Sequence, residues 1–254
     1  MRSRRLGSLS SGSIDHMATA IIVGASSGIG RHLAKLLGSE GYALGLVARR
    51  EELLRQLAAE LPGRTLIEVV DVADLGLAAQ RLSALFEALG RVDLFVFCAG
   101  VGYVNPALDC QPELDTGAVN VQGFVNAVNV AVKAFARRGS GHIVGISSIA
   151  ALRGGSSAPA YGASKAFMSN YLEALSFRFS KLKLPIVVTD VQPGFVDTEM
   201  AKADVKFWVA TPATAARQIY DAIRARKRHV YVTRRWRLVA WALKLMPARL
   251  LARL

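Results

Sequence analysis

Short apolar runs alternate along this chain with longer stretches in which apolar residues recur every three or four positions. The runs at 20–23, 42–47, 66–70, 94–97, 142–146, 186–191 and 229–232 have the length of strands. They carry too few polar positions for a sheet with one wet face. Between them, helical spacing is expected over 31–37, 51–61, 77–89, 112–137 and 161–181. In the second of these Leu53, Leu54, Leu57 and Leu61 keep to one side. A further helix opens at Thr211-Pro212, with the hydroxyl as N-cap and proline in the first turn, and runs to about residue 225. Strands and helices alternating at these lengths predict an α/β fold. It is a single doubly wound parallel sheet of about seven strands with helices on both faces.

Composition narrows the class. The chain has 254 residues, of which 52% are hydrophobic, enough for a full core in one large domain. No apolar run reaches the 18 or so residues of a membrane span. The two cysteines, Cys98 and Cys110, make no disulfide framework, which points to a reducing cytoplasm. Four scattered histidines and no Cys-x-x-Cys pair leave no metal site. The net charge of +13 is uneven: ten cations and no acid follow Asp221, residues 1–16 hold +2, and the body, 17–221, holds +1. The body therefore needs no polyanionic partner. Residues 1–16, rich in Ser, Gly and Arg, read as a disordered leader or an appended remnant, with Met17 a natural start. The domain is expected over 17–233, and 234–254 as a basic amphipathic extension.

The first strand runs into Gly24-Ala25-Ser26-Ser27-Gly28-Ile29-Gly30. Glycines where a strand meets a helix let the backbone turn tightly and approach a pyrophosphate, and the helix N-terminus then offers free N–H groups. The second strand ends in Arg49-Arg50. A carboxylate there would bind the ribose 2′-hydroxyl of NAD; two guanidinium groups favour a 2′-phosphate, hence NADP(H). Asp71-Val72 closes the third strand, within reach of an adenine. Farther on, Tyr161 and Lys165 stand four apart, one helical turn, below the pair Ser147-Ser148. A nearby ammonium lowers the pKa of a phenol and fits it for proton transfer nearer neutrality.

Together these residues resemble the short-chain dehydrogenase/reductase family over about 17–235. The pattern is the Gly-x-x-x-Gly-x-Gly turn, a helix asparagine matched by Asn120, a serine thirteen residues before the tyrosine matched by Ser148, and Tyr161-x-x-x-Lys165. Pro193-Gly194-Phe195-Val196-Asp197-Thr198 matches the Pro-Gly-x-x-x-Thr stretch that lines a nicotinamide. The resemblance implies Tyr161 as proton donor or base, and Lys165 as the group that lowers its pKa and holds the nicotinamide ribose. It implies Ser148 as hydrogen-bond donor to the substrate oxygen, and Asn120 as holder of a water linking Lys165 to solvent. Cys98, Ala99 and Gly100, after the fourth strand, stand beside the cofactor. Val23 and Phe97-Cys98 replace a threonine and two asparagines of the usual pattern, so an apolar contact is expected where relatives tie two strand ends with polar groups. Cys98 reads as a small core residue rather than a nucleophile.

The segment 199–210 is expected as a lid with an apolar substrate end at Phe207 and Trp208; Tyr103 and Val104 form the opposite wall. Family members commonly pair through the helices carrying Asn120 and Tyr161, so a homodimer or homotetramer is implied. Apolar stripes Phe124, Val128, Val132, Phe135 and Phe167, Tyr171, Leu175 lie on those helices. In the tail, Trp236, Val239, Leu243 and Met246 share a helical side, whereas Trp241 and Leu245 fall near Arg234. A basic helix carrying tryptophan suits an anionic membrane surface; packing on its own domain or on a partner subunit is the other reading. Cations interleaved with Leu, Val and Trp disfavour nucleic acid. The sequence reads as an NADP(H)-dependent reductase of an apolar carbonyl, or dehydrogenase of the alcohol. The alternative is a catalytically silent NADP-binding regulatory or scaffold protein.

Overall fold

The computed structural model describes residues 17–199 and 207–251. The expected leader at 1–16, the middle of the expected lid at 200–206, and 252–254 lie outside the described residues. Seven parallel strands, β1 (Thr19–Val23), β2 (Ala43–Ala48), β3 (Thr65–Val69), β4 (Leu94–Phe97), β5 (Gly141–Ile146), β6 (Ile186–Pro193) and β7 (His229–Val232), lie in the order β3-β2-β1-β4-β5-β6-β7. Chain order reverses between β1 and β4. That junction opens a crevice at the carboxyl ends of the strands, where an α/β sheet takes its ligand.

Two apolar layers cover the sheet. On one face α1 (Gly28–Ser39), α2 (Glu51–Ala59) and α7 (Pro212–Arg224) bury Leu33, Leu37, Leu54, Leu57 and Ile219 against Ile22, Leu44 and Val96. On the other, α3 (Leu75–Leu89), α5 (Phe124–Arg138) and α6 (Pro159–Lys181) bury Phe86, Phe124, Phe135, Leu172 and Phe179 against Phe95, Phe97 and Ile143. Each such ring or branched chain taken fully from water contributes about 1.5–3 kcal/mol before entropy is charged against it. Of the first of the two stripes, Phe124, Val128 and Phe135 are buried within the chain itself and cover the sheet, whereas Val132 is half-buried. Of the second, Phe167 is exposed and Leu175 is buried.

The single helix expected over 112–137 is broken. α4 (Cys110–Gly117) passes into a π turn at Ala118–Gly123 and only then into α5. The extra residue in a π turn loosens the backbone ladder locally. Here it carries Asn120 to a fully buried position against the end of β4.

The tail folds back. α8 (Trp236–Leu245) buries Trp236 and Ala240 and is followed by α9 (Ala248–Leu251). Arg153 donates from Nε to the Leu243 carbonyl (2.8 Å) and from Nη2 to the carbonyls of Lys244 (2.8 Å) and Met246 (3.3 Å). These are carbonyls that a helix C-terminus leaves without intrahelical partners. Of the two readings of the tail, the side bearing Trp236 packs on its own domain. Among the described residues, no helix is long and apolar enough to cross a membrane.

Candidate active site

The turn after β1 is shaped for close approach. Gly24 has φ +88°, and a Cβ there would stand 2.5 Å from the Ala99 nitrogen. A Cβ on Gly30 would meet the Gly24 carbonyl oxygen at 2.1 Å. The strand ends bearing Val23 and Phe97-Cys98 are tied by the backbone, Cys98 N–H to the Val23 carbonyl at 2.8 Å. Val23 and Phe97 are buried. Burial pushes the Cys98 thiol up to about 11, so it carries no thiolate at neutral pH. Ser27 is the N-cap of α1 but makes no side-chain cap bond, and no acid lies in the first turn. The helix start is therefore electropositive and without a carboxylate of its own, which fits a pyrophosphate. Thr198 lies over Gly28, 3.1 Å from where a Cβ would be.

At the edge of this turn Arg50 donates to Ser27 Oγ (2.6 Å), Ser26 Oγ (3.2 Å) and Glu199 Oε2 (3.0 Å). Arg49 is turned the other way, 3.3 Å from Asp71 Oδ2. The two arginines are therefore not equivalent: Arg50 reaches the phosphate turn, and Arg49 pairs with the acid at the end of β3. Val72 is buried against Gly123 of the π turn.

Across the crevice, α6 begins at Pro159, so Tyr161 occupies its first turn and Lys165 the next. The Tyr161 ring rests on the loop after β4, where a Cβ on Gly102 would come within 2.6 Å of it. The neighbouring Tyr103 and Val104 are exposed. Burial raises the Tyr161 pKa and a hydrogen bond with Ser148 pulls it down. This differs from the expectation that Lys165 would lower it. The buried Lys165 ammonium, 5.8 Å from the ring centroid, donates to the Ile146 carbonyl at 3.0 Å. Its own pKa is lowered to about 8 by burial, with Cys98 and Asp190 acting in the opposite direction. The result is a phenol held in its protonated form, as a proton donor must be.

Asn120 is fixed by its own side chain. Its Nδ2 donates to the Val101 carbonyl (2.8 Å) and Ser164 Oγ (2.9 Å), and its Oδ1 accepts from Val101 N–H (2.9 Å). Both amide hydrogens are used, so the side chain ties the β4 loop to α6.

The Pro-Gly turn after β6 meets the tail. A Cβ on Gly194 would lie 1.9 Å from the Trp236 ring, so the indole rests directly on this glycine. Phe195, Phe207 and Trp208 surround the indole, with ring centroids at 5.5, 4.9 and 6.2 Å from it. Trp208 itself has φ +52°, a left-handed conformation that a bulky residue holds only when its neighbours fix it. Behind β5 and β6 lies a buried carboxylate. Asp190 accepts from Ser147 Oγ (2.5 Å), Ser169 Oγ (2.6 Å) and Gln192 Nε2 (3.1 Å).

The family model of short chain dehydrogenases matches residues 18–207. The chain belongs to the short-chain dehydrogenase family. An uncharacterized oxidoreductase of Myxococcus xanthus is 36% identical over 72% of the chain and 73% of its own length. A bovine 3-oxoacyl-[acyl-carrier-protein] reductase is 33% identical over 71% and 76%. Among solved structures, a short chain dehydrogenase/reductase of Burkholderia phymatum in complex with NAD has a TM-score of 0.80 at 22% identity, over 88% of this chain and 92% of that one. ElxO with NADP bound has a TM-score of 0.75 at 20% identity, over 85% and 96%. This short-chain dehydrogenase is thus an oxidoreductase of a family whose similar folds hold nicotinamide cofactors of both kinds.

Three contributors escaped the sequence reading. Trp236 was read with the tail and not with the cofactor turn, because Gly194 is remote from it in sequence. Asp190 had a visible signal, a lone carboxylate inside the apolar strand β6, which signals a buried charge with dedicated partners. Glu113 Oε1 accepts from Asn105 and its Oε2 from the Ala160 N–H at the start of α6; no periodicity marks such a contact.

Proposed function

We propose that this chain is an NADP(H)-dependent oxidoreductase that reduces a carbonyl, or oxidises the corresponding alcohol, on an apolar, lipid-like substrate. What carries the reading is the half-buried, protonated Tyr161 beside Ser148, across the crevice from the glycine turn. When bound, the nicotinamide cofactor supplies or takes the hydride. Gly24, Ser26, Ser27, Gly28, Ile29 and Gly30 receive the pyrophosphate, and Arg50 the 2′-phosphate. Asp71, Val72, Cys98, Ala99 and Gly100 flank the adenosine half; Pro193, Gly194, Val196 and Thr198 flank the nicotinamide. Ser148 donates to the substrate oxygen as charge grows on it, and Tyr161 gives that oxygen its proton. Lys165 supplies positive charge under the ring and holds the ribose. Asn120 fixes the loop against which Tyr161 rests. Tyr103, Val104, Phe207 and Trp208 give the pocket its apolar walls. The protein works in the cytoplasm as a two-fold dimer or tetramer, and light scattering that gave only monomer would remove that part of the reading.

The test is turnover of NADPH by purified protein against apolar ketones and aldehydes, 3-keto lipids included. Binding of NADPH without turnover of any of them would favour a regulatory protein instead.

Cofactor choice has its own expected result. Arg50→Asp should weaken NADPH by about 1.5–3 kcal/mol, the worth of a charge-assisted hydrogen bond, and shift preference towards NADH. Arg49→Asp, at a guanidinium already paired with Asp71, should lose less. Calorimetric titration of both cofactors decides; a wild type that binds NADH more tightly ends the NADP assignment.

After burial and Cys98, Asp190 is the further influence on the Lys165 pKa, and its removal should show on the alkaline side of the pH profile. It favours the charged form of Lys165, which is held near pH 8 against the depressing effect of burial. Asp190→Asn removes that support, so Lys165 loses its proton at lower pH and the alkaline fall of kcat should move down the pH scale. Ser147 and Ser169 can reorient to the amide, which keeps the fold. An unchanged alkaline limb would show that Asp190 is structural only.

A further inference from the structure

The helix α8 has two apolar sides. One, with Trp236 and Ala240, is buried on the domain. The other carries Leu238, Trp241 and Leu245 at i, i+3 and i+7, exposed by 63%, 62% and 84%. This second stripe holds the two residues, Trp241 and Leu245, that fall outside the side chosen from the sequence. Around it stand exposed Arg234, Arg235, Arg237 and Lys244, with Arg249 in α9. No acidic residue occurs anywhere after Asp221.

We propose that this outer stripe of α8 docks the protein on an anionic lipid surface. A tryptophan with two leucines between cations is the chemistry of a helix lying in a bilayer interface, its apolar side among the acyl chains and its cations at the headgroups. Each Lys or Arg at an anionic surface contributes about 1 kcal/mol. A nucleic acid would leave Leu238, Trp241 and Leu245 without apolar contact. The helix is also held firmly enough to serve as an anchor: Arg153 binds its C-terminal carbonyls and Trp236 its N-terminal end. At that end Arg235 stacks over Trp208, 5.6 Å from the ring centroid, so the docked stripe adjoins the rim of the substrate pocket. Delivery of an apolar carbonyl from the lipid phase rests on the reductase reading above; the docking itself does not.

The experiment is flotation of the full-length protein with vesicles of phosphatidylcholine mixed with phosphatidylglycerol, against phosphatidylcholine alone. The protein should float with the anionic vesicles only, and high salt should release it. The double variant Leu238→Gln, Trp241→Gln should lower the bound fraction at least about tenfold, because it removes the apolar part of the contact. Both positions are exposed, so melting temperature and turnover of a water-soluble ketone should be unchanged. Equal flotation with both vesicles, or none with either, overturns the proposal. So does a double variant of lower mass in light scattering without lipid, which assigns the stripe to a second copy. Salt-sensitive DNA or RNA gel shifts that persist in the variant, together with loss of flotation in competition, assign the cations to nucleic acid. A protein that floats as expected but reduces no carbonyl refutes the reductase reading and leaves the docking standing.

Discussion

Tyr161→Phe should lower turnover by roughly 10²–10⁴-fold while the protein melts and binds cofactor as before. The substitution deletes one oxygen and leaves the ring, which is the part packed against Gly102. Only the phenol hydroxyl goes. On the proposed mechanism Ser148 remains to hydrogen-bond the substrate oxygen, so the drop should be finite. Single-turnover reduction under saturating NADPH isolates the step from product release. A variant with near-normal turnover would sink the assignment of the phenol as acid. A variant that fails to bind cofactor would show instead that the hydroxyl organises the crevice.

Trp236→Ala should cost about 3–5 kcal/mol of stability, the usual range for emptying a buried aromatic site. The indole is 2% exposed and stacks on Phe207 with centroids 4.9 Å apart. Its loss also frees Gly194 and Phe195, so NADPH affinity should fall together with the melting temperature. Trp236→Phe, which refills most of the volume, should recover much of both. Thermal unfolding and cofactor titration on the three proteins check this. An alanine variant with the wild-type melting temperature would mean that the tail contributes nothing to the domain.

How much of this was legible in the sequence depends on the range of each interaction. The strands at 94–97 and 229–232 came out at their observed limits, Leu94–Phe97 and His229–Val232, because strand ends are set by local apolar runs and the turns that bound them. The break at Ala118–Gly123 did not, since a π turn inserts one residue without interrupting an apolar pattern. Arg49 and Arg50 looked alike as neighbours; their partners, Asp71 on one side and Ser26, Ser27 and Glu199 on the other, come from different parts of the chain. Lys165 was read by its spacing from Tyr161, yet its nearest acceptor is the carbonyl of Ile146 on β5. The tail shows the limit most clearly. A helical wheel groups Trp236 with Val239, Leu243 and Met246, the less exposed side of α8, but gives no sign of Gly194, the position without a side chain on which the indole rests.

The contact between Gly194 and Trp236 also sets an order of events in synthesis. The glycine turn, Tyr161 and Lys165 all leave the ribosome before α8 does. The Pro-Gly wall beside them gains its backing only when Trp236, well downstream of Gly194, has emerged and settled. A growing chain is thus held short of its finished Pro-Gly turn until α8 has emerged. The same logic reaches the bench. A chain cut before Trp236 exposes the Phe195 ring and the unbacked turn.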